Sequence, residues 1–266
     1  MRRLLIRPGG IGDTILSLPA LECLKADYTE VWVRADVVPL IRFADRARSI
    51  ESTGLNLLEL PDVEPPPALI EQLRSFDSII SWYGASREEF RGAVHRLGLH
   101  VQFLAALPPE GQELHAADFF LHQAGCHARA VPRINCGDVQ RGDFAVIHPF
   151  SGSARKNWPL SRFRELAERL AMPVQWCAGP DEQLDGAVRF TGLYELARWL
   201  AGARIYIGND SGISHLAAAA GVPVAAIFGP TDPAVWAPRG QRVRIVSGKL
   251  EDITVEQVLA VVDWLK

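Results

Sequence analysis

Apolar residues recur along this chain at two alternating spacings, short continuous runs and helical i, i+3, i+4 stripes. The run "RLLIR" (3–7) has the length of a buried strand. "DTILSLPALECLKA" (13–26) follows it with Ile15, Leu18, Leu21 and Leu24 on one helical face. Pro19 lies inside that stripe, so a kink or a late helix start is expected there. "EVWVR" predicts a strand, "VVPLIRFA" a short helix, "PDVEPPP" (61–67) a loop, "ALIEQLRSF" a helix and "DSIISWYG" a strand. "REEFRGAVHRLG", "HVQFLAA" and "HAADFFLHQAG" continue the alternation more faintly.

Periodicity fades in "RAVPRINCGDVQRG" (129–142), where Pro and Gly accumulate, and then restarts. "FAVIHP", "VQWCAG", "RIYI" and "VAAIF" read as strands. "PLSRFRELAERLA" places Phe163, Leu166, Ala167 and Leu170 on one helical face with Pro159 suited to the first helical position. "GLYELARWLAGA" does the same with Leu193, Leu196, Ala197 and Leu200 behind Thr191 as expected cap. "TVEQVLAVVDWLK" closes the pattern, with Thr254 and Gln257 spaced for a capping box. Strands alternating with helices twice over predict an α/β fold of two Rossmann-like domains with parallel sheets. The expected division is residues 1–130, a linker at 131–142, and residues 143–266.

Composition changes this picture little. The 266 residues include 28 Lys and Arg against 31 acids, a net charge of −3, with no long basic run to engage nucleic acid. Cys23, Cys126, Cys136 and Cys177 are scattered without a CxxC pair, so reduced thiols in a cytoplasmic protein are expected. "MRRLLIRPGG" starts like a signal peptide, but its apolar run is too short and Pro8-Gly9-Gly10 ends it. Five of the seven histidines lie between His95 and His127 without metal-ligand spacing, and no bound metal is expected. The seven tryptophans are expected in the core.

Chemistry concentrates in loops that follow strands, which a parallel sheet gathers on one edge. "GNDSGISH" (208–215) opens a helix. Its backbone amides favour a phosphate, and Asp210 or Ser211 can cap it. A diphosphate there would repel Asp210, whose carboxylate should instead accept from capping amides or sugar hydroxyls. The plain alternative is a well-capped packing helix. "HPFSGSARKNW" offers Ser151, Ser153, Arg155 and Lys156 to a diphosphate, or a solvated basic pair. "AGPDEQ" offers Glu182 to a ribose, with Asp181 read as a helix-start charge. "RPGGIGDTI" lacks the Walker lysine and the third glycine of GxGxxG. Its Asp13 faces the same edge, or caps the helix from Thr14.

Taken together, "RPGGIGDTILSLPAL", "HPFSGSARKNWPLSRFRELAERL" and "IGNDSGISHLAAAAGVPVAAIFGPTDP" resemble glycosyltransferase family 9, the heptosyltransferases of lipopolysaccharide synthesis and their relatives. The resemblance implies a GT-B architecture and an inverting, metal-independent transfer from a nucleotide-diphosphate sugar, ADP-heptose among the candidates, to a glycan or lipid-linked acceptor, without a cofactor. Asp13 corresponds to a general base and Lys156 to the lysine that holds the leaving diphosphate. Asp210, Ser211, Gly212 and His215 correspond to donor-binding positions, with Glu182 toward the nucleoside. Gly12, Ser151, Ser153, Arg155 and Thr231 are expected to complete the donor site. The four alanines after His215 would let their helix lie close to the sheet. A cytoplasmic enzyme is implied, one compatible with peripheral contact at the inner membrane. The competing readings are a shortened relative that binds nucleotide-sugar without transfer, and a hydrolase that uses water as acceptor.

Overall fold

The computed structural model describes residues 1–60, 62–111 and 113–265. Two five-stranded sheets form, one in each half, and every pairing between their strands is parallel. In the first half β1 (Arg2–Ile6) leads to α1 (Ile11–Cys23), then β2 (Tyr28–Val33), β3 (Arg46–Ser49), α2 (Pro67–Arg74), β4 (Ser78–Ser81), α3 (Glu88–Arg96), β5 (Val101–Phe103) and α4 (Ala116–Gln123). In the second, β6 (Ala145–His148), α5 (Leu160–Arg169), β7 (Val174–Trp176), α6 (Leu193–Ala201), β8 (Ile205–Asn209), α7 (Gly212–Ala219), β9 (Val224–Phe228), α8 (Pro233–Trp236), β10 (Val243–Ser247) and α9 (Val255–Leu265) follow in turn. Sheet orders are β3-β2-β1-β4-β5 and β10-β9-β8-β6-β7. Each order reverses once, between β1 and β4 and between β6 and β8, and the crevice beyond such a reversal is where open α/β sheets bind ligands.

The central strands are apolar on both faces, as parallel sheets covered on both sides require. Leu4 and Ile6 join Trp32, Leu69, Leu73 and Phe90 beneath α2 and α3. Ile147, Ile207 and Ile227 meet Phe163, Val258 and Val262 beneath α5 and α9. The inner faces share one further core: Leu5, Val31 and Ile80 of the first sheet connect through α1 and α7 to Tyr206, Ala226 and Phe228 of the second. Helix α7 packs against α1 of the opposite half more extensively than against either strand it follows or precedes. The alanine run therefore serves a helix enclosed on two sides, and Leu216 to Ala219 are all buried.

Several expectations shift on the structure. Helix α1 starts at Ile11, so Asp13 is its third residue and not a cap for a helix from Thr14, and Pro19 is accommodated inside it. Pro159 and Gly192 occupy the N-cap positions of α5 and α6, displacing Pro159 from the first helical position and Thr191 from the cap. "VVPLIRFA" forms a 3-10 helix over Ala35–Leu40. No helix starts at Asp181, which is exposed in a turn, so the helix-start role fails there. The capping box at Thr254 and Gln257 forms, with N–H to side-chain distances of 2.9 and 3.3 Å. The predicted loop 61–67 and closing helix 254–266 each include one position, 61 and 266, outside the described residues.

Cys23 and Cys126 are joined by a disulfide across 103 residues of sequence, correcting the expectation of four reduced thiols; Cys136 and Cys177 are free and buried. No spacing rule links two cysteines so far apart, and only the packing of α4 on α1 brings them together. Trp32, Trp82 and Trp158 are buried as expected, but Trp264 is exposed, with its ring under the Arg244 guanidinium. Residues 131–142 carry neither helix nor strand and lie along α6 and α7. There Tyr194 Oη donates to Asn135 O, Arg198 to Cys136 O, and Ile134 N to Ala219 O. Among the described residues no helix is long and apolar enough to cross a membrane.

Candidate active site

A cleft of about 1280 Å³ opens where the two sheets' reversal points face each other, lined from both halves. The first half contributes the turn after β1, with Gly12 and Asp13, and the Arg34–Asp36 pair after β2. The second contributes the turns after β6, β7 and β8.

The turn after β1 is shaped by Gly9, whose φ of +135° suits glycine and whose absent side chain leaves room for Asp13. Asp13 Oδ2 accepts from the Gly10 amide at 2.9 Å. Among the described residues its Oδ1 has no hydrogen bond, and the residue lines the cleft. One carboxylate thus holds the helix start and presents a free oxygen.

The turn after β8 is built by Asn209, whose Oδ1 accepts from Trp158 N at 2.9 Å and whose Nδ2 donates to Pro149 O at 2.8 Å. That pins the β6 and β8 loops to each other. Ser211 caps α7, accepting from Ser214 N at 3.3 Å. Asp210 does not cap: its Oδ2 lies 2.7 Å from Lys156 Nζ, an ion pair with side-chain exposures of 34% for the lysine and 6% for the aspartate. Of the two partners expected for the Asp210 carboxylate, capping amides or sugar hydroxyls, this pairing corrects the first.

Gly212 lies against the first half, where an added Cβ would fall 2.8 Å from Ile11 Cβ and 3.2 Å from Gly12 N. A Cβ on Gly12 would fall 3.0 Å from the His215 ring. The first turns of α1 and α7 are therefore in direct contact. Burial pushes the His215 imidazole down to about 4, against the opposing pull of Asp210, so it is neutral near pH 7.

Glu182 accepts through Oε2 from Gly179 N at 2.6 Å and from His148 Nε2 at 3.0 Å. Burial pushes its carboxyl up, but these donors, His148 first, outweigh it and hold the group below its ordinary value. Its Oε1 has no hydrogen bond among the described residues. His148 Nδ1 and His215 Nδ1 are buried without a partner among the described residues.

Ser151, Ser153, Lys156, Glu182, Asp210, Ser211, Gly212, His215 and Thr231 thus gather around one cleft with Gly12 and Asp13. Ser151 Oγ is engaged within its own loop, 2.7 Å from Ser153 O and 2.8 Å from Asn157 Oδ1. Arg155 departs from expectation: it is exposed and not among the residues lining the cleft, because the 3-10 turn Ala154–Lys156 turns only its last residue inward. Sequence reasoning missed His148, Arg189 and the apolar wall of Pro180, Phe190, Leu193 and Leu196. Arg189 sits between two predicted elements, its Nη2 donating to Glu182 O at 2.6 Å. Only its closeness to "AGPDEQ" could have flagged it.

Residues 188–259, which include Asp210, Gly212 and His215, match the model of glycosyltransferase family 9 (heptosyltransferase). The chain is glycosyltransferase family 9-like. Lipopolysaccharide heptosyltransferase 1 of Pseudomonas aeruginosa is 34% identical over 93 residues, 29% of this chain and 26% of that protein. The Salmonella typhimurium enzyme of the same name is 31% identical over 125 residues, 41% of this chain and 39% of its own length. The matched stretches thus span less than half of these curated relatives. Over the whole chain the fold matches E. coli heptosyltransferase WaaC with ADP at a TM-score of 0.73 and 18% identity, covering 100% of both chains. A glycosyltransferase family 9 structure from Veillonella parvula matches at 0.75 and 18% identity, covering 99% and 96%. The two parallel-sheet halves of this family 9-like chain are the GT-B fold that its motifs imply.

Proposed function

We propose that this chain is an inverting, metal-independent glycosyltransferase that moves a heptose from ADP-heptose to a hydroxyl of a lipopolysaccharide-type acceptor. The observation that carries the proposal is the opposition of two groups across one cleft: an Asp13 carboxylate with a free oxygen from the first half, and Lys156 beside the α7 N-terminus from the second. The relatives supply the sugar and the acceptor class; the neighbours that hold ADP and an ADP-2-deoxy-2-fluoro heptose supply the nucleotide.

In this reading the apolar wall of Phe190, Leu193 and Leu196 takes the base and Glu182 Oε1 accepts from a ribose hydroxyl. The diphosphate meets Lys156 and the first amides of α7, which favour anions. Asp13 Oδ1 removes the acceptor hydroxyl's proton as that oxygen bonds to the anomeric carbon. The bond from that carbon to the diphosphate breaks on the opposite face, and its electron pair leaves on the phosphate oxygen. Lys156 neutralises that charge where other enzymes use a divalent ion.

The test is acceptor-dependent release of ADP from ADP-heptose, unchanged by chelator, with Asp13→Asn alongside. Asparagine keeps an oxygen for the Gly10 amide and removes the base, so turnover should fall about 10² to 10⁴-fold while ADP affinity stays within about threefold of the parent. Release without acceptor would make the chain a hydrolase. ADP binding without release under any acceptor would make it a binding protein.

A further inference from the structure

We propose that Arg7 is a positioning residue for Asp13, a buried cation that fixes the β1–α1 turn from which the carboxylate reaches the cleft. The inference rests on Asp13 being the base.

Arg7 directly follows β1, is 1% exposed, and makes no ion pair among the described residues. All of its side-chain hydrogen bonds go to the segment that carries Asp13. Nε donates to Ser17 Oγ at 2.7 Å, Nη1 to Pro8 O at 2.9 Å and Nη2 to Asp13 O at 3.4 Å. Ser17 Oγ in turn donates to Asp13 O at 2.7 Å, so the same carbonyl is held twice. The guanidinium is fixed from behind by aromatic rings, with Phe120 of α4 at 4.6 Å and Trp82 after β4 at 5.9 Å.

Such a group has little structural justification. A buried cation without a counter-charge is costly, and an apolar side chain would fill the space between two rings more cheaply. It also stands at the positive end of α1, the end that disfavours cations. Burial draws its pKa down to about 10, so it still carries its charge at neutral pH, and the carboxylate whose field opposes that effect is Asp13. The groups whose fields couple to Asp13 are Arg7 from the first sheet, Arg34 after β2 and His215 from α7, the last neutral. Of the two cations, Arg7 is the enclosed one, so water and salt screen it least.

The experiment compares parent, Arg7→Met, Arg7→Lys and Asp13→Asn in ADP release from ADP-heptose with a heptose-deficient lipopolysaccharide acceptor, ADP affinity and thermal unfolding. Arg7→Met should lower kcat about 10- to 100-fold, the range for a misplaced catalytic group. ADP affinity should stay within threefold, so the loss falls on kcat and not on donor binding. Arg7→Lys should recover part of kcat, because it keeps a donor toward the turn and loses the fork. Parent kcat in a folded Arg7→Met, or a loss of ADP affinity as large as the loss of kcat, would overturn the inference. If Arg7→Met does not fold, Ser17→Ala decides. It removes one tie to the Asp13 carbonyl and should lower kcat several-fold at unchanged ADP affinity, and parent kcat there would overturn the proposal. Full turnover in Asp13→Asn would instead sink the reading beneath it, whereas loss there with none in Arg7→Met sinks this inference alone.

Discussion

Removing Lys156 makes a prediction in two parts, because its ammonium is paired with Asp210. Lys156→Ala strands the Asp210 carboxylate, whose side chain is 6% exposed. Fully exposed pairs contribute roughly 0 to 1 kcal/mol, and breaking a fully buried pair costs roughly 3 to 5. This pair lies between those limits, since the lysine is about one-third exposed and water can reach the gap it leaves. A loss of about 1 to 2 kcal/mol follows, lowering Tm by roughly 2 to 8 °C for a chain with domains of this size. The second part concerns the donor. A charge-assisted hydrogen bond is worth about 1.5 to 3 kcal/mol, so ADP should bind roughly 10- to 150-fold more weakly. Stranded Asp210 then faces the incoming diphosphate and adds repulsion.

The double variant Lys156→Ala/Asp210→Asn separates the two. It should recover at least half of the lost Tm and bind ADP more tightly than Lys156→Ala alone, a coupling that a double-mutant cycle measures. Calorimetric titration with ADP and with adenosine provides the readout. Adenosine, lacking phosphate, should bind all variants about equally. ADP affinity within twofold of the parent in a folded Lys156→Ala would refute the placement of the diphosphate, and strictly additive effects would refute the coupling.

Gly212→Ala should hold α1 away from α7, since its Cβ would meet Ile11 and the Gly12 backbone; kcat should fall at least tenfold with ADP affinity nearly kept, as read in steady-state kinetics and calorimetry. Reducing the Cys23–Cys126 bond, or replacing both residues with serine, frees a 103-residue loop and should cost about 2 to 5 kcal/mol, lowering Tm by roughly 5 to 15 °C in thermal melts. Burial pushes His115 and His215 down to about 4, below the ordinary value of 6.5, so the unfolded chain binds more protons between those limits. Stability is therefore complete above about pH 6.5 and is lost as pH falls toward 4, by on the order of 3 kcal/mol per histidine; His115→Gln should flatten the fall of Tm with pH.

The elements that sequence made legible are those whose side chains decide them. Leu4 to Ile6, Ile205 to Ile207 and Val224 to Phe228 are buried on both faces, and an apolar run announces such a strand. β3 was missed because its residues, Arg46 to Ser49, carry no apolar run; it is an edge strand held by backbone pairing to β2. β10 is likewise an edge strand, paired only to β9. The site residues were legible where a loop follows a recognisable strand. Partnerships were not: the Lys156–Asp210 pair joins positions 54 residues apart, and the disulfide joins positions 103 apart. Arg7 looked like the end of an apolar strand, and only its surroundings reveal a charge enclosed behind Asp13.

The site is organised around a conflict that a diphosphate can resolve. Two helix N-termini converge where Gly12 meets Gly212, and both present their positive ends to the same space. A diphosphate brings more negative charge than Asp210 and can replace it as the partner of Lys156 and α7. It cannot replace Asp13, whose Oδ2 is committed to the Gly10 amide of its own helix. Donor binding should therefore redistribute charge in the second half and leave the first half's carboxylate in place. Asp210→Asn ought then to change ADP affinity far more than it changes kcat, and Asp13→Asn ought to do the reverse. Calorimetry and steady-state kinetics on the same two variants would show whether grip and proton transfer are divided between the halves in this way; equal effects of both variants on both quantities would refute the division.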